Sequence, residues 1–363
     1  MKRIQLMILL AAAFAVTMQS CSKEESEGCV DSEACNFNPE ADVDNGSCTY
    51  PIDWYQDLNG DGLGNPYSII TDCNQPAGYT RGLCNPQTFF RDIDGDGLGD
   101  PNNTTVACDS VPGYVSNDDD IIDVIPVVKQ RATMTYVGAT WCGPCGSNGD
   151  PTKEHLETTY LDDIIILNCQ SGDAISAAGA FGPEFGSAFQ NFVSSTGIPH
   201  CYFSGANYPM TDYGFSSAPT QHDVKVDNVL ASTAKVGIAA NLSLSSGVIT
   251  VKTATKFVSA AGQHYIGVYL LEDGVMENQV MSGGPDAVTA HNNVLRAAAD
   301  GVIGALGIES IGTSFVADQI VDVAYDITIP TTVVNSANLQ VAVVVWEGSA
   351  ADKISNAIIL DVN

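Results

Sequence analysis

The chain has 363 residues, with 43 acidic side chains against 14 lysines and arginines, a net charge of −29 at neutral pH. That balance excludes nucleic acid as a partner, because the phosphate contacts that dominate such binding need Lys and Arg. The length allows two to three domains with ordinary cores.

Residues 1–20 read as a signal peptide. Lys2 and Arg3 form a positive start, and Ile4 to Val16 form an apolar core too short to span a bilayer. Eleven cysteines in an exported chain argue for disulfides. Met18-Gln19-Ser20-Cys21 resembles a lipoprotein cleavage box, with Ser20 the small residue before the cysteine and Gln19 unusual there. Ser22-Lys23-Glu24-Glu25 resembles the surface-export signal of certain Gram-negative lipoproteins. These resemblances imply that Cys21 is lipidated, which holds the chain on the outer membrane and presents it at the cell surface. The alternative is plain secretion with cleavage nearby. No later apolar run is long enough to cross a membrane.

Residues 21–52 form a cysteine-rich module, in which Cys29, Cys35 and Cys48 frame Asn36-Phe37-Asn38-Pro39 and Asp44-Asn45-Gly46. It resembles a small module common in bacterial surface proteins. Residues 53–125 hold two repeats (53–84 and 88–120) and a linker, related by an offset of 35 residues. Asp57-Leu58-Asn59-Gly60-Asp61-Gly62-Leu63-Gly64-Asn65 matches Asp92-Ile93-Asp94-Gly95-Asp96-Gly97-Leu98-Gly99-Asp100. Oxygen ligands at positions 1, 3, 5 and 9, with glycines between, can wrap one side of a hard cation, and the carbonyl of Leu63 or Leu98 can add another. The candidate ligands are Asp57, Asn59, Asp61 and Asn65 in the first loop, and Asp92, Asp94, Asp96 and Asp100 in the second. The loops lack a Glu at position 12 and so are not EF-hands. They resemble the calcium loops of thrombospondin type 3 repeats, which implies structural calcium. The second loop, with four carboxylates against two, should bind more tightly. An acidic, metal-free linker is the alternative. Such a segment cannot bury a core, so bridges and metal must replace one. Six cysteines here allow fifteen pairings. The preferred set is Cys29–Cys48 and Cys73–Cys84, leaving Cys35 and Cys108 over. The region reads as a spacer.

Residues 126–234 carry the most informative motif. The apolar run Ala132 to Thr140 reads as a strand, and Trp141-Cys142-Gly143-Pro144-Cys145 follows it before a segment that can turn helical. A Cys-x-x-Cys at that junction puts the first sulfur over a helix N-terminus, where backbone N–H groups favour the thiolate. The second sulfur can then close a small ring. A zinc half-site or a structural disulfide is the alternative, although the second Cys pair that zinc needs is absent. With its Trp and its Gly-Pro, the motif resembles the thioredoxin active site. The resemblance implies that Cys142 attacks and Cys145 resolves, and that Pro199, in Ile198-Pro199-His200, is a cis-proline beside the dithiol. Two positions depart from that family: Tyr136 stands where a buried Asp is usual, and Ile166 where a Lys is usual. Cys145 would then lack its proton acceptor, a role His200 can fill if it is not simply packed. In a thioredoxin-like sheet, the strands carrying Cys169 and Cys201 flank the strand leading to Cys142. Two strand spacings, about 9–10 Å, then separate these thiols and keep them unbridged.

Residues 235–363 change to strand periodicity. Ile249, Val251, Thr253, Thr255 and Phe257 alternate with their neighbours. Further runs are 236–244, 265–272, 320–329, 339–346 and 354–362, which suggests an immunoglobulin-like sandwich. The expected fold class is therefore multidomain: irregular N-terminal repeats held by disulfides and calcium, an α/β thioredoxin-like domain, and an all-β immunoglobulin-like sandwich. That combination, with Tyr265 to Gly274 and Ala290-His291-Asn292-Asn293-Val294-Leu295-Arg296-Ala297, resembles the outer-membrane-protein-28-related lipoproteins of Gram-negative bacteria over about residues 126–363. His291 and Arg296 either form a polar site or order a long inter-strand loop. Two functions remain open. One is thiol–disulfide exchange on envelope proteins, with Cys142, Cys145 and Pro199 as the site. The other is a non-catalytic surface binding or adhesion lipoprotein that keeps Cys142–Cys145 as a structural bridge.

Overall fold

A computed structural model describes residues 25–171, 197–205, 208–300, 307–348, 351 and 353–362, with only the backbone of 208–213. Cys21 and the leader lie outside the described residues. The chain divides into two compact units.

The first unit holds the described residues up to Thr88, together with Val106–Val111. Strands β1 (Glu27–Gly28) and β2 (Val43–Asp44) pair as a minimal sheet. β3 (Ile52–Gln56), β4 (Leu63–Asp72), β5 (Tyr79–Thr80) and β6 (Gly82–Leu83) form a four-stranded sheet in the order β5-β3-β4-β6. Apolar burial is sparse: Cys29, Ala34 and Trp54 are its buried hydrophobic residues among those described. Disulfides replace a core. Cys29–Cys48 closes the module, Cys35–Cys73 ties it to the first repeat, and Cys84–Cys108 ties the first repeat to the second. The expected Cys73–Cys84 pairing is thus corrected, and Cys35 and Cys108 are not left over. Cys73 and Cys108 are equivalent by the 35-residue offset, and each pairs backward with a cysteine of the preceding module.

The second unit spans Phe89–Thr105 and Pro112–Asn363. The second repeat contributes β7 (Gln87–Arg91), β8 (Asp100–Ala107) and β9 (Tyr114–Val115), in the order β8-β7-β9. A Cβ on Gly99 would lie 2.4 Å from that of Phe90, and one on Gly64 would lie 2.4 Å from that of Tyr55. The repeat therefore needs glycine at both equivalent positions.

Then follow β10 (Ala132–Gly138), a π-helical turn at Cys145–Gly149 that runs into α1 (Asp150–Tyr160), β11 (Ile164–Gln170), β12 (His200–Gly205), β13 (Tyr208–Gly214) and α2 (Asp223–Leu230). Next come β14 (Val236–Ser245), β15 (Val248–Phe257), β16 (His264–Glu272), β17 (Val275–Gln279), β18 (Ala287–His291) and β19 (Val294–Ala298). The last are β20 (Ile308–Gly312), β21 (Ile320–Thr328), β22 (Leu339–Glu347) and β23 (Lys353–Asp361).

The expected fold class is overturned. Strand dominates the described residues and α-helix is confined to α1 and α2. The strands before and after residue 235 do not form an α/β domain and a separate immunoglobulin-like sandwich. They join one nine-stranded sheet, β13-β12-β10-β11-β19-β16-β22-β23, with β20 also on β16. The seam is Asn168 of β11, fully buried and paired in parallel with Val294 of β19. Its amide donates to Asn293 O at 3.0 Å, and its side chain donates to Asn292 O at 2.9 Å. One apolar cluster spans the seam, placing Val137, Ile165 and Leu167 with Leu271, Leu295, Val344 and Trp346. A second cluster packs the three-stranded sheet β14-β15-β21 onto β16, β22 and β23. No helix among the described residues is long and apolar enough to cross a membrane.

Candidate functional site

The dithiol sits where β10 hands over to the π-turn. Cys142 and Cys145 form a disulfide. The Cys145 amide donates to Cys142 Sγ at 3.2 Å, the interaction that stabilises a thiolate at a helix start. Trp141 beside it is 57% exposed, whereas Cys142 is 6% and Cys145 1% exposed. The Ile198–Pro199 peptide bond is cis, and Ile198 packs on Ala139, Cys142 and Cys145. His200 lies against Tyr202, ring centroids 6.5 Å apart.

Tyr136 is 1% exposed. The ammonium of Lys153 stands 4.3 Å from its ring centroid and pairs with Asp150 at 2.9 Å. Ile166 is buried in the same cluster as Tyr136 and supplies no charge.

The cover over the dithiol comes from more than 130 residues downstream, a feature the sequence reading missed. The hairpin β17–β18 ends in Gln279, and the turn that follows lies along the Cys-Gly-Pro-Cys loop. The Val280 amide donates to Thr140 O at 2.8 Å, and the Ser282 amide to Gly143 O at 3.2 Å. Gln279, 1% exposed, directs its side-chain amide at Cys142 O (3.1 Å), Val280 O (3.0 Å) and Ala139 O (3.4 Å). A Cβ on Gly146 would fall 2.6 Å from Met281 Sδ, and one on Gly143 would fall 2.9 Å from Ser282 Oγ. The backbone of the strap also closes on Gly146, where a Cβ would fall 2.6 Å from Val280 O, so the strap favours glycine there. The one sequence signal is the turn composition of Ser282-Gly283-Gly284-Pro285-Asp286.

Cys169 and Cys201 take part in no disulfide and are fully buried. β10 runs between their strands: Cys169 pairs with Val137 and Cys201 with Tyr136, and the two thiols belong to clusters on opposite faces of the sheet. Burial pushes the Cys169 thiol far above its ordinary range. Cys201 Sγ lies 3.5 Å from His222 Nε2.

The two repeat loops differ. In the first, Asp57 accepts the amides of Gly60 (2.7 Å) and Gly62 (3.0 Å). Asn59 fills the centre by donating to Asp61 (3.1 Å) and Asp109 (2.5 Å), and Asn65 turns to the Tyr67 amide (2.9 Å). In the second, Asp92, Asp94 and Asp96 bring carboxylate oxygens within 4.8 Å of one another, and Asp94 does the same with Asp120 and Asp123. Asp100 is not part of either group and instead accepts the Asn102 amide at 2.8 Å. Asp120 and Asp123, which sequence spacing did not single out, are the further carboxylates that stand beside Asp94. Asp94 is raised to about 6, chiefly by burial and then by Asp96. Asp322 on β21 is raised to about 8, chiefly by burial and then by Asp96, Asp120 and Asp94.

His291 and Arg296 each have partners of their own. His291 lies 3.3 Å from Thr289 Oγ1, whereas Arg296 pairs with Glu272 at 3.2 Å in a buried contact and donates to Thr332 O.

The family described as outer membrane protein Omp28 matches residues 187–359, a stretch that begins after the dithiol. That description agrees with the outer-membrane location expected from the leader. No curated protein sequence matches the chain. Among solved structures, HBP35 of Porphyromonas gingivalis is similar with a TM-score of 0.52 and 15% identity, over 65% of this chain and 76% of that one. This likeness concerns the fold alone. The E. coli curli protein CsgC (TM-score 0.18, 13% identity, 34% of this chain and 95% of that one) and R. palustris CsgH (0.17, 15%, 35% and 91%) overlap too little to support an argument.

Proposed function

We propose that this chain is an outer-membrane lipoprotein, anchored through Cys21 and presented at the cell surface, whose Cys142–Cys145 pair exchanges disulfides with envelope proteins. The observation that carries the reading is the Cys145 amide aimed at Cys142 Sγ beside an exposed Trp141. A substrate thiolate attacks Cys142 Sγ, the Cys142–Cys145 bond breaks, and Cys145 leaves with the electron pair and takes up a proton. A second substrate thiolate then attacks the mixed disulfide and leaves with a disulfide of its own, so the pair is reduced and the substrate oxidised. The reverse sequence reduces a substrate. The repeats serve as the spacer, and calcium in the loop of Asp92, Asp94 and Asp96 is its structural cofactor.

The burial of Cys142 under Gln279 to Ser282 favours a second reading, a surface binding protein that keeps the pair as a structural bridge. The reduction potential of Cys142/Cys145 in the full chain separates the two. A value of about −270 to −180 mV supports exchange, and one below about −300 mV supports a bridge. Exchange also predicts that Cys145→Ser traps mixed disulfides, whereas catalysis by the wild type no faster than by Cys142→Ser rules it out.

A further inference from the structure

Asp322 stands in a row that crosses the three-stranded sheet. It pairs with Ala254 on β15, which in turn pairs with Ala239 on β14. The two alanines leave room on that face, and Ile122, 3% exposed, packs onto them with Ile121, Val124 and Ile320 around it. This apolar contact seats residues 121–124 directly beside the carboxylates of the second repeat.

The acids around that seat lack donors. Asp120 is 5% exposed, and its Oδ1 accepts the Ile122 amide at 2.6 Å, but its Oδ2 is buried without a hydrogen-bond partner. Asp94 Oδ2 and Asp123 Oδ2 are buried in the same condition, and the Asp322 carboxyl, which likewise meets no N–H donor, stands against the carboxyl of Asp120. Their other contacts orient them: the Asp96 amide donates to Asp94 Oδ1 at 3.2 Å, and the Ile93 amide donates to Asp123 Oδ1 at 2.6 Å. No Lys or Arg forms an ion pair with any of these carboxylates among the described residues. Buried carboxylates are held by pairing or by a metal. Oxygen-only ligands drawn from separate elements fit the six to eight ligands and adaptable geometry of calcium rather than the stricter octahedron of magnesium.

We propose that Asp322 completes a calcium site with Asp92, Asp94, Asp96, Asp120 and Asp123, so that one cation fastens the second repeat to the outer face of the β14-β15-β21 sheet. The site is then a joint as well as a loop: its ligands come from the repeat, from the segment after it and from β21, more than 190 residues later. This rests on the calcium reading of the second loop given above.

The test uses the full chain, stripped with chelator and titrated with calcium chloride in a calorimeter, with hydrogen exchange followed over residues 118–125. The wild type should bind calcium and gain protection in that segment, and Asp94→Asn should abolish both. Asp322→Asn removes a charge from a repelling cluster. It should weaken binding about tenfold or more, roughly 1.4 kcal/mol, and lose the calcium-dependent protection. Asp100→Asn should bind as the wild type does. If the wild type takes up no calcium, the loop reading fails and the carboxyls share protons instead. If the wild type binds but Asp322→Asn keeps the same affinity and protection, the loop reading stands and the joint is refuted. Equal weakening by Asp100→Asn and Asp322→Asn also refutes it.

Discussion

Gln279 satisfies carbonyl oxygens of the dithiol loop from a buried position, so its side-chain amide both closes the strap and limits access to Cys142. Gln279→Leu keeps the volume but leaves those oxygens unpaired, at a cost of about 1–3 kcal/mol. Denaturant unfolding should show that loss, and after mild reduction iodoacetamide should label Cys142 faster than in the wild type. An unchanged labelling rate would mean that the strap does not control access. His222 makes a second argument at this scale. Burial, then Lys225, lowers its pKa from 6.5 to about 4, against a smaller opposing effect of Asp223. The unfolded chain therefore binds this proton first as pH falls. Stability from His222 is full above about 6.5 and declines towards 4, by up to about 1.4 kcal/mol per pH unit. Urea unfolding at pH 7 and pH 5 should show a smaller difference for His222→Phe than for the wild type.

Among the elements, β16 and β19 are joined around a bulge. Leu270 pairs with Ala297 and Leu271 with Leu295, so Arg296 is the extra residue, aimed out of the regular alternation. It meets Glu272, and both are 1% exposed at the side chain. Glu272 also accepts the amides of Val334 (2.8 Å) and Asn335 (2.6 Å), and Arg296 reaches Thr332 O. The pair thus holds the β21–β22 connection. Arg296→Met leaves Glu272 buried without a counter-charge and should cost about 3–5 kcal/mol, while the double variant with Glu272→Leu should recover much of it. Calorimetric midpoints of the three proteins check this; a double variant no more stable than Arg296→Met would argue against the pairing.

In the whole molecule, the nine-stranded sheet makes residues on both sides of 235 one cooperative body. A chain ending at Ala234 keeps β10 to β13 but exposes the face of Val137, Ile165, Leu167 and Tyr202 that β16, β19, β22 and β23 cover. Such a fragment should lack a cooperative thermal transition, whereas the intact second unit should unfold as one; a fragment melting sharply by circular dichroism would contradict the shared sheet. The first unit rests on its bridges. Non-reducing peptide mapping should return Cys35–Cys73 and Cys84–Cys108 peptides, and no peptide linking Cys169 with Cys201.

What the sequence determined by itself lies in spacing and local periodicity. The Cys142–Cys145 interval permits a small disulfide ring, and the glycines at 60, 62, 95 and 97 mark loops that turn through positive φ. The alternation from Ile249 to Phe257 lies in β15, and the separation of Cys169 from Cys201 follows from strand spacing. Each of these is a relation among residues close in the chain, or within one strand, where backbone geometry sets the answer. The tertiary structure alone decided the rest. Gln279 reaches Cys142 O across 137 residues, Asn168 welds two expected domains into one sheet through Val294, and Asp322 of β21 comes near enough to Asp96, Asp120 and Asp94 to feel their charge. Cys73 chose Cys35 over the nearer Cys84 for the same reason. Contacts of this range leave no period in a sequence, because they depend on which faces and edges remain uncovered once the local elements have formed.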